Sequence, residues 1–179
     1  MPEIESDQPL LPSVLDRLID DNPSVRREAP RSRSVSLKEL KESVRRDLQN
    51  LLNTRIRCVP WPAALKELKY SLVNYGIPDQ TGASVGSSKD REQLCRDIEN
   101  VVKRYGGAIQ IRNGAPEVGE RRLMKVRVKL VDPTESIDRT IRFQIDAVLK
   151  AEPAPEPIQF DSTLRLTTGT FEVKGDLDG

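Results

Sequence analysis

The chain has no histidine. This removes the residue that most often serves as a general base near neutral pH and as a metal ligand. Two cysteines, Cys58 and Cys95, are too few and too far apart for a zinc site, and they read as reduced, partly buried thiols. Aromatic residues make up 4% of the 179 positions, so stacking platforms for nucleic acid are scarce and any core must be aliphatic. Charge of one sign is also missing. Lys and Arg number 29 against 28 Asp and Glu, for a net +1, whereas a dedicated nucleic-acid binder is usually clearly basic. No run approaches the ~18 apolar residues of a membrane span. The acidic N-terminus has no apolar segment of the kind a signal peptide needs. The expectation is a cytoplasmic protein with no cofactor, no metal and no direct membrane insertion.

What is present is a patterned chain. Residues 1–21 carry acids at Glu3, Glu5, Asp7, Asp16, Asp20 and Asp21 against Arg17 alone, while the 25–57 stretch is rich in Arg and Lys. A basic face is therefore possible on a neutral whole. In "PLLPSVLDRLIDDNP", Leu11, Val14, Leu15, Leu18 and Ile19 fall at helical spacing, which predicts a short N-terminal helix. Two turns are not stable alone, so it must dock on this domain or on a partner. A solvated basic linker follows. In "SLKELKESVRRDLQNLLNTR", Ser36 and Glu39 fit a capping box, and Leu37, Leu40, Val44, Leu48 and Leu51 form one stripe. Lys38, Lys41, Arg45 and Arg46 fall on the other face and read as a solvated stripe.

A second helix is expected over "WPAALKELKYSLVNYG", with Leu65, Leu68 and Leu72 inward and Gly76 as its C-terminal cap. A third is expected from Ser88 to Tyr105, with Leu94, Ile98, Val101 and Tyr105 inward, stopped by Gly106-Gly107. The remainder reads as β. "AIQIRNGAPEVG" is an extended piece plus a turn. "RLMKVRVKLV" alternates, with Met124, Val126, Val128 and Leu130 on one face and Lys125, Arg127 and Lys129 on the other. "RTIRFQIDAVLK" alternates again, and "AEPAPEP" is a stiff connector to a terminal hairpin, "IQFDSTLRL" and "TFEVK". Helices followed by strands imply an α+β fold: three main helices packed on one face of a small antiparallel sheet, with a C-terminal hairpin and a short N-terminal helix. The expected division is an N-terminal helix and linker over 1–35, one domain over 36–175, and a tail over 176–179.

Three function classes are open on the residues. Catalysis has little to stand on. Glycoside hydrolysis needs a carboxyl with a raised pKa, and Glu120 stands beside Arg121 and Arg122, whose charges lower it. No nucleophile elbow or phosphate-binding glycine loop occurs. Nucleic-acid binding has basic faces but no recognition motif. Protein binding uses more of the chain, because a sheet that ends in a hairpin leaves edges that can pair with another chain.

Four stretches then carry a resemblance. "SVLDRLIDD" (13–21), "SVRRDLQNLLNTR" (43–55), "SLVNYGIPD" (71–79) and "RFQIDAVLKAEPAPEPIQFDSTLRLTTGTFEV" (142–173) together resemble the TssE family, baseplate subunits of type VI secretion systems related to the tail-lysozyme-like baseplate proteins of contractile phages. That family's hallmark is Glu-Pro-Arg followed by Leu, directly after the third helix. Here the match is Glu120-Arg121-Arg122-Leu123, with Arg121 in place of the proline and 106–119 looking like an insertion before it. The resemblance implies a structural, non-enzymatic baseplate wedge subunit that docks on the wedge core and initiates contractile sheath polymerisation by strand addition. It implies TssF, TssG and TssK as baseplate partners and the sheath subunits TssB and TssC. Wedge docking falls to Glu120, Arg121 and Arg122. Sheath binding falls to the C-terminal hairpin and the 139–150 strand, with Phe160, Leu164, Leu166, Phe171 and Val173 as candidates. A peptidoglycan hydrolase and a nucleic-acid-binding module stand as the alternatives.

Overall fold

A computed structural model describes residues 32–56, 71–81, 87–106, 109–112, 115–118, 122–131, 139–151 and 154–175, with isolated positions at 10, 18, 23, 24, 62, 64, 65 and 68. Its elements run α1 (Arg33–Asn53), α2 (Ser88–Tyr105), β1 (Ile109–Arg112), β2 (Ala115–Val118), β3 (Leu123–Leu130), β4 (Thr140–Leu149), β5 (Glu156–Arg165) and β6 (Thr170–Gly175). The fold is α+β. β3 to β6 form one antiparallel sheet in chain order, and β1 pairs with β2 in a separate ribbon. Helix α1 packs on β6 and α2 on β3. Both helices and the inward side chains of all four strands share one core, so the helices cover a single face.

Helix α1 begins four residues earlier than the capping box suggests. Ser32 is its N-cap, and the Val35 N–H donates to the Ser32 hydroxyl. Ser36 is instead a buried first-turn residue whose hydroxyl donates to the Ser32 carbonyl. The apolar stripe holds: Leu40, Val44, Leu48 and Leu51 are buried, joined by Leu52. Helix α2 spans the expected residues, but Val102 rather than Val101 is the buried valine. Its N-cap is Ser87, and Gly106 caps its end.

The second expected helix differs most. Where described, this segment makes three-residue turns, from Leu65 back to Pro62, Leu68 to Leu65 and Ser71 to Leu68, and then a 3-10 helix over Leu72–Asn74. Leu65 and Leu72 are exposed rather than inward. Tight three-residue turns do not stack side chains at the 3.6-residue period that would hold such a stripe on one face. Gly76 follows Tyr75, the C-cap of this 3-10 helix, rather than ending an α-helix. Its φ is +118°, and a Cβ there would strike the carbonyl oxygen of Thr54. That close approach lets Ile77 form a parallel bridge with Arg55 and drop, fully buried, into the core. Of the N-terminal segment, Leu10 packs against the core, Leu18 is exposed, and Pro23 and Ser24 form an exposed turn, while the rest lies outside the described residues.

Strand β3 also departs from simple alternation. Leu123 pairs with Leu149 and Met124 with Val148, but the next partners are Arg127 and Asp146. The extra residue is a β-bulge, with Lys125 at φ +51°. The bulge turns Leu123, Val126 and Val128 inward and leaves Met124 half-buried. Strand β4 follows its pattern throughout, with Ile141, Phe143, Ile145, Ala147 and Leu149 buried. Strand β5 takes in the end of the Pro-rich connector. Pro157 sits in it opposite Val148, beyond the reach of β6, which pairs only with Phe160–Arg165.

Candidate functional site

The expected docking triplet lies at the entry to β3. Glu120 and Arg121 fall outside the described residues. Arg122 is half-buried, and its guanidinium turns back onto α1, 3.5 Å from both the Ser43 hydroxyl and the Asp47 carboxylate. Its carbonyl accepts from the Lys150 N–H at 2.7 Å, which extends the β3–β4 ladder by one rung. Arg122 therefore ties the start of the sheet to the first helix. Asp47 is also felt by Tyr75, whose phenol is raised above its ordinary value by burial and then by the Asp47 charge.

The sheath-binding candidates are placed differently from the expectation of an exposed contact surface. Phe160, Leu164, Leu166, Phe171 and Val173 are all buried in the core beneath the helices. Their side chains are spent on packing, and of the five only Phe171 and Val173 lie on an edge strand. Strand β4 lies between β3 and β5, so it offers no edge either. The sheet has two edges, β3 and β6, and side chains from the helices reach both.

At the β3 edge the Val128 N–H donates to Glu99 of α2 at 3.2 Å. Glu99 also pairs with Lys103 one turn on. Its carboxyl is held below the ordinary range, first by the Lys103 hydrogen bond and, against the cost of burial, by the Val128 amide. At the β6 edge the contacts form a row. Arg55 donates to the Gly169 carbonyl. Asn53 donates to the Phe171 carbonyl at 2.8 Å and accepts from the Phe171 N–H at 2.9 Å. Arg45 donates to the Val173 carbonyl at 3.0 Å. Edge groups left bare invite pairing with any other strand, and side-chain capping is one way to blunt them.

The sheet face away from the helices is polar. Arg142, Gln144, Gln159, Asp161, Thr163, Glu172 and Lys174 line a broad, open concavity. Lys129 and Asp146 form an ion pair there at 2.7 Å. The Asp146 carboxyl is lowered by that hydrogen bond first and by Gln144 as well. The alternation of charge in β3 to β6 made this face readable from sequence. The edge caps were not, because Arg45 reads as one of a solvated basic stripe and Asn53 as an ordinary helix terminus. Among the described residues no group of three or more His, Cys, Asp or Glu is placed to hold a metal ion. Likewise, no described helix is long and apolar enough to cross a membrane.

Residues 38–113 match the family model described as baseplate wedge protein gp25. This is the family of TssE, so the resemblance read in the sequence stands. The matched segment runs from the second turn of α1 through α2 to just past the end of β1 and stops short of Glu120 and the four-stranded sheet. No curated protein and no solved structure gives a significant match.

Proposed function

We propose that this chain, a gp25-family baseplate wedge protein, is the type VI secretion subunit that docks on the wedge core and starts sheath polymerisation. The structural baseplate role belongs to the family, and the match over 38–113 is the observation that carries it. The finer reading draws on the sheet. A four-stranded antiparallel sheet with both helices on one face leaves an edge strand at each side where a neighbouring chain can add main-chain hydrogen bonds. Strand addition reads backbone geometry more than side chains, so one subunit can template a repeating polymer. The outer face, with charges of both signs, then sets register by pairing rather than by apolar burial.

Docking on the wedge core falls to Glu120 and Arg121. Arg122 belongs to the same docking set, with its guanidinium engaged by Asp47 and Ser43 of α1. Four of the described carboxylates lend the hydrolase reading no support. Glu42, Asp79, Glu99 and Asp146 are all shifted downward, the direction opposite to that of a general acid.

The test is in cells carrying a fluorescent sheath subunit. Deleting the chain should abolish sheath foci, and returning it should restore them. Co-purification with TssF, TssG and TssK should survive in the wild type and weaken in a Glu120→Ala/Arg121→Ala variant. Normal sheath foci in the deletion strain, or no association of the wild type with any wedge subunit, would sink the reading.

A further inference from the structure

The β6 edge is closed by side chains in a pattern that matches a paired strand. In an antiparallel ladder, alternate residues turn their N–H and C=O groups toward the neighbour and the others turn away. The double hydrogen bond between Asn53 and Phe171 shows that Phe171 and Val173, two residues on in the strand, turn their backbone groups outward, and the turn residue Gly169 just before β6 presents its carbonyl on the same side. The carbonyls of Gly169, Phe171 and Val173 each accept from a cationic or amide side chain of α1 or its C-terminal extension. Asn53 goes further and offers Phe171 one donor and one acceptor, which is what a facing strand residue would offer.

These side chains are braced in place. Arg45 is oriented by Glu42 at 2.9 Å and by Gln49 at 3.1 Å. Arg55 is held by the Leu52 carbonyl at 3.2 Å and by an ion pair with Asp79 at 3.4 Å. Yet they are not core struts. Asn53 is exposed and Arg45 and Arg55 are half-buried, so each can swing into water and have its hydrogen bonds replaced there. A row of hydrogen bonds on an edge that is braced yet removable has the properties of a latch.

We propose that α1 is an autoinhibitory latch on the β6 edge: Arg45, Asn53 and Arg55 occupy the strand-pairing positions in the free subunit, and an incoming extended segment must displace them. The occupant this edge fits is a single antiparallel strand, with one residue exchanging both hydrogen bonds with Phe171 as Asn53 does and its neighbours' N–H groups meeting the carbonyls of Gly169 and Val173. The latch keeps two free subunits from pairing edge to edge. Its release sets the affinity of strand addition, because the fraction of open edge scales the observed binding constant. This rests on the sheath-initiation reading for the identity of the strand donor.

The experiment uses the full chain and an Arg45→Ala/Asn53→Ala variant, with circular dichroism confirming equal helix and sheet content. The probe is the co-purified TssB–TssC pair, with sedimentation of each chain alone alongside. The latch predicts that the variant binds the pair at least about tenfold more tightly than the wild type. Equal or weaker binding by the variant overturns the latch and leaves the sheath reading intact. If the pair binds neither chain, the sheath reading fails and sedimentation decides the latch. Concentration-dependent dimers of the variant, against a monomeric wild type, then support it, and a monomeric variant overturns it. Should the double variant not fold, Asn53→Ala alone serves, since it uncaps both groups of Phe171.

Discussion

Ser162 lies on the inward face of β5 among Phe160, Leu164 and the facing Val173. Its hydroxyl oxygen is buried and has no hydrogen-bond partner among the described residues. A buried polar atom without a partner carries an uncompensated desolvation cost. Ser162→Ala should therefore be neutral or stabilising, by up to about 1 kcal/mol in urea denaturation, where most buried substitutions destabilise. Two backbone positions make the opposite pair. Gly76 at φ +118° has the Thr54 carbonyl where a Cβ would stand, so Gly76→Ala should lower stability by more than about 1 kcal/mol and release Ile77 from the core. Lys125 holds a left-handed conformation that costs a side chain about 1 kcal/mol. Lys125→Gly should keep or raise the melting temperature, whereas a regular strand would be weakened by it. Neither Ser162 nor Lys125 stands out in the sequence, since each sits in an apparently regular alternation. The bulge and the missing partner arise only when two strands are laid side by side.

Elements behave as their edges dictate. The five sheath-binding candidates of the hairpin are core, so replacing any of Phe160, Leu164 or Phe171 by Asp should cost more than about 3 kcal/mol and unfold the sheet rather than spare it. A melt of each single variant checks this. The edge of β3 should respond to acid. Glu99 and Asp146 have folded pKa values depressed below their ordinary values, so the folded protein binds fewer protons at these groups than the unfolded chain does. Their stabilisation is complete above the unfolded carboxylate range and is lost as pH falls through the folded values. The window opens below 4.5, the ordinary value for Glu99. Melting temperature should fall with pH in that range, and a Glu99→Gln/Asp146→Asn variant should show a shallower fall. A variant with the wild-type slope would place the acid sensitivity elsewhere. Helix α1 was legible as an amphipathic helix from its leucines. Its polar face was not, because a basic stripe facing water and one reaching round to a strand edge look alike in one dimension.

For the whole molecule, the local patterns reached the fold class and most of the core. The 3.6-residue period of α1 and α2 and the two-residue period of β4 and β5 depend on which face meets the core, and burial follows that face. The absence of histidine and the near-balance of charge narrow the function classes by composition alone, and the four resemblance stretches point to the family that residues 38–113 match. Tertiary structure decided the rest. It replaced the expected second helix, where described, with tight turns that expose Leu65 and Leu72, because Gly76 and Ile77 are pulled against the end of α1. It also placed Arg122 against Asp47, 75 residues away in the chain, and Arg45 against Val173, 128 residues away. Sequence periodicity records which side of an element is apolar. It holds no record of which distant backbone group a polar side chain will meet, and that meeting is what closes the edge of this sheet.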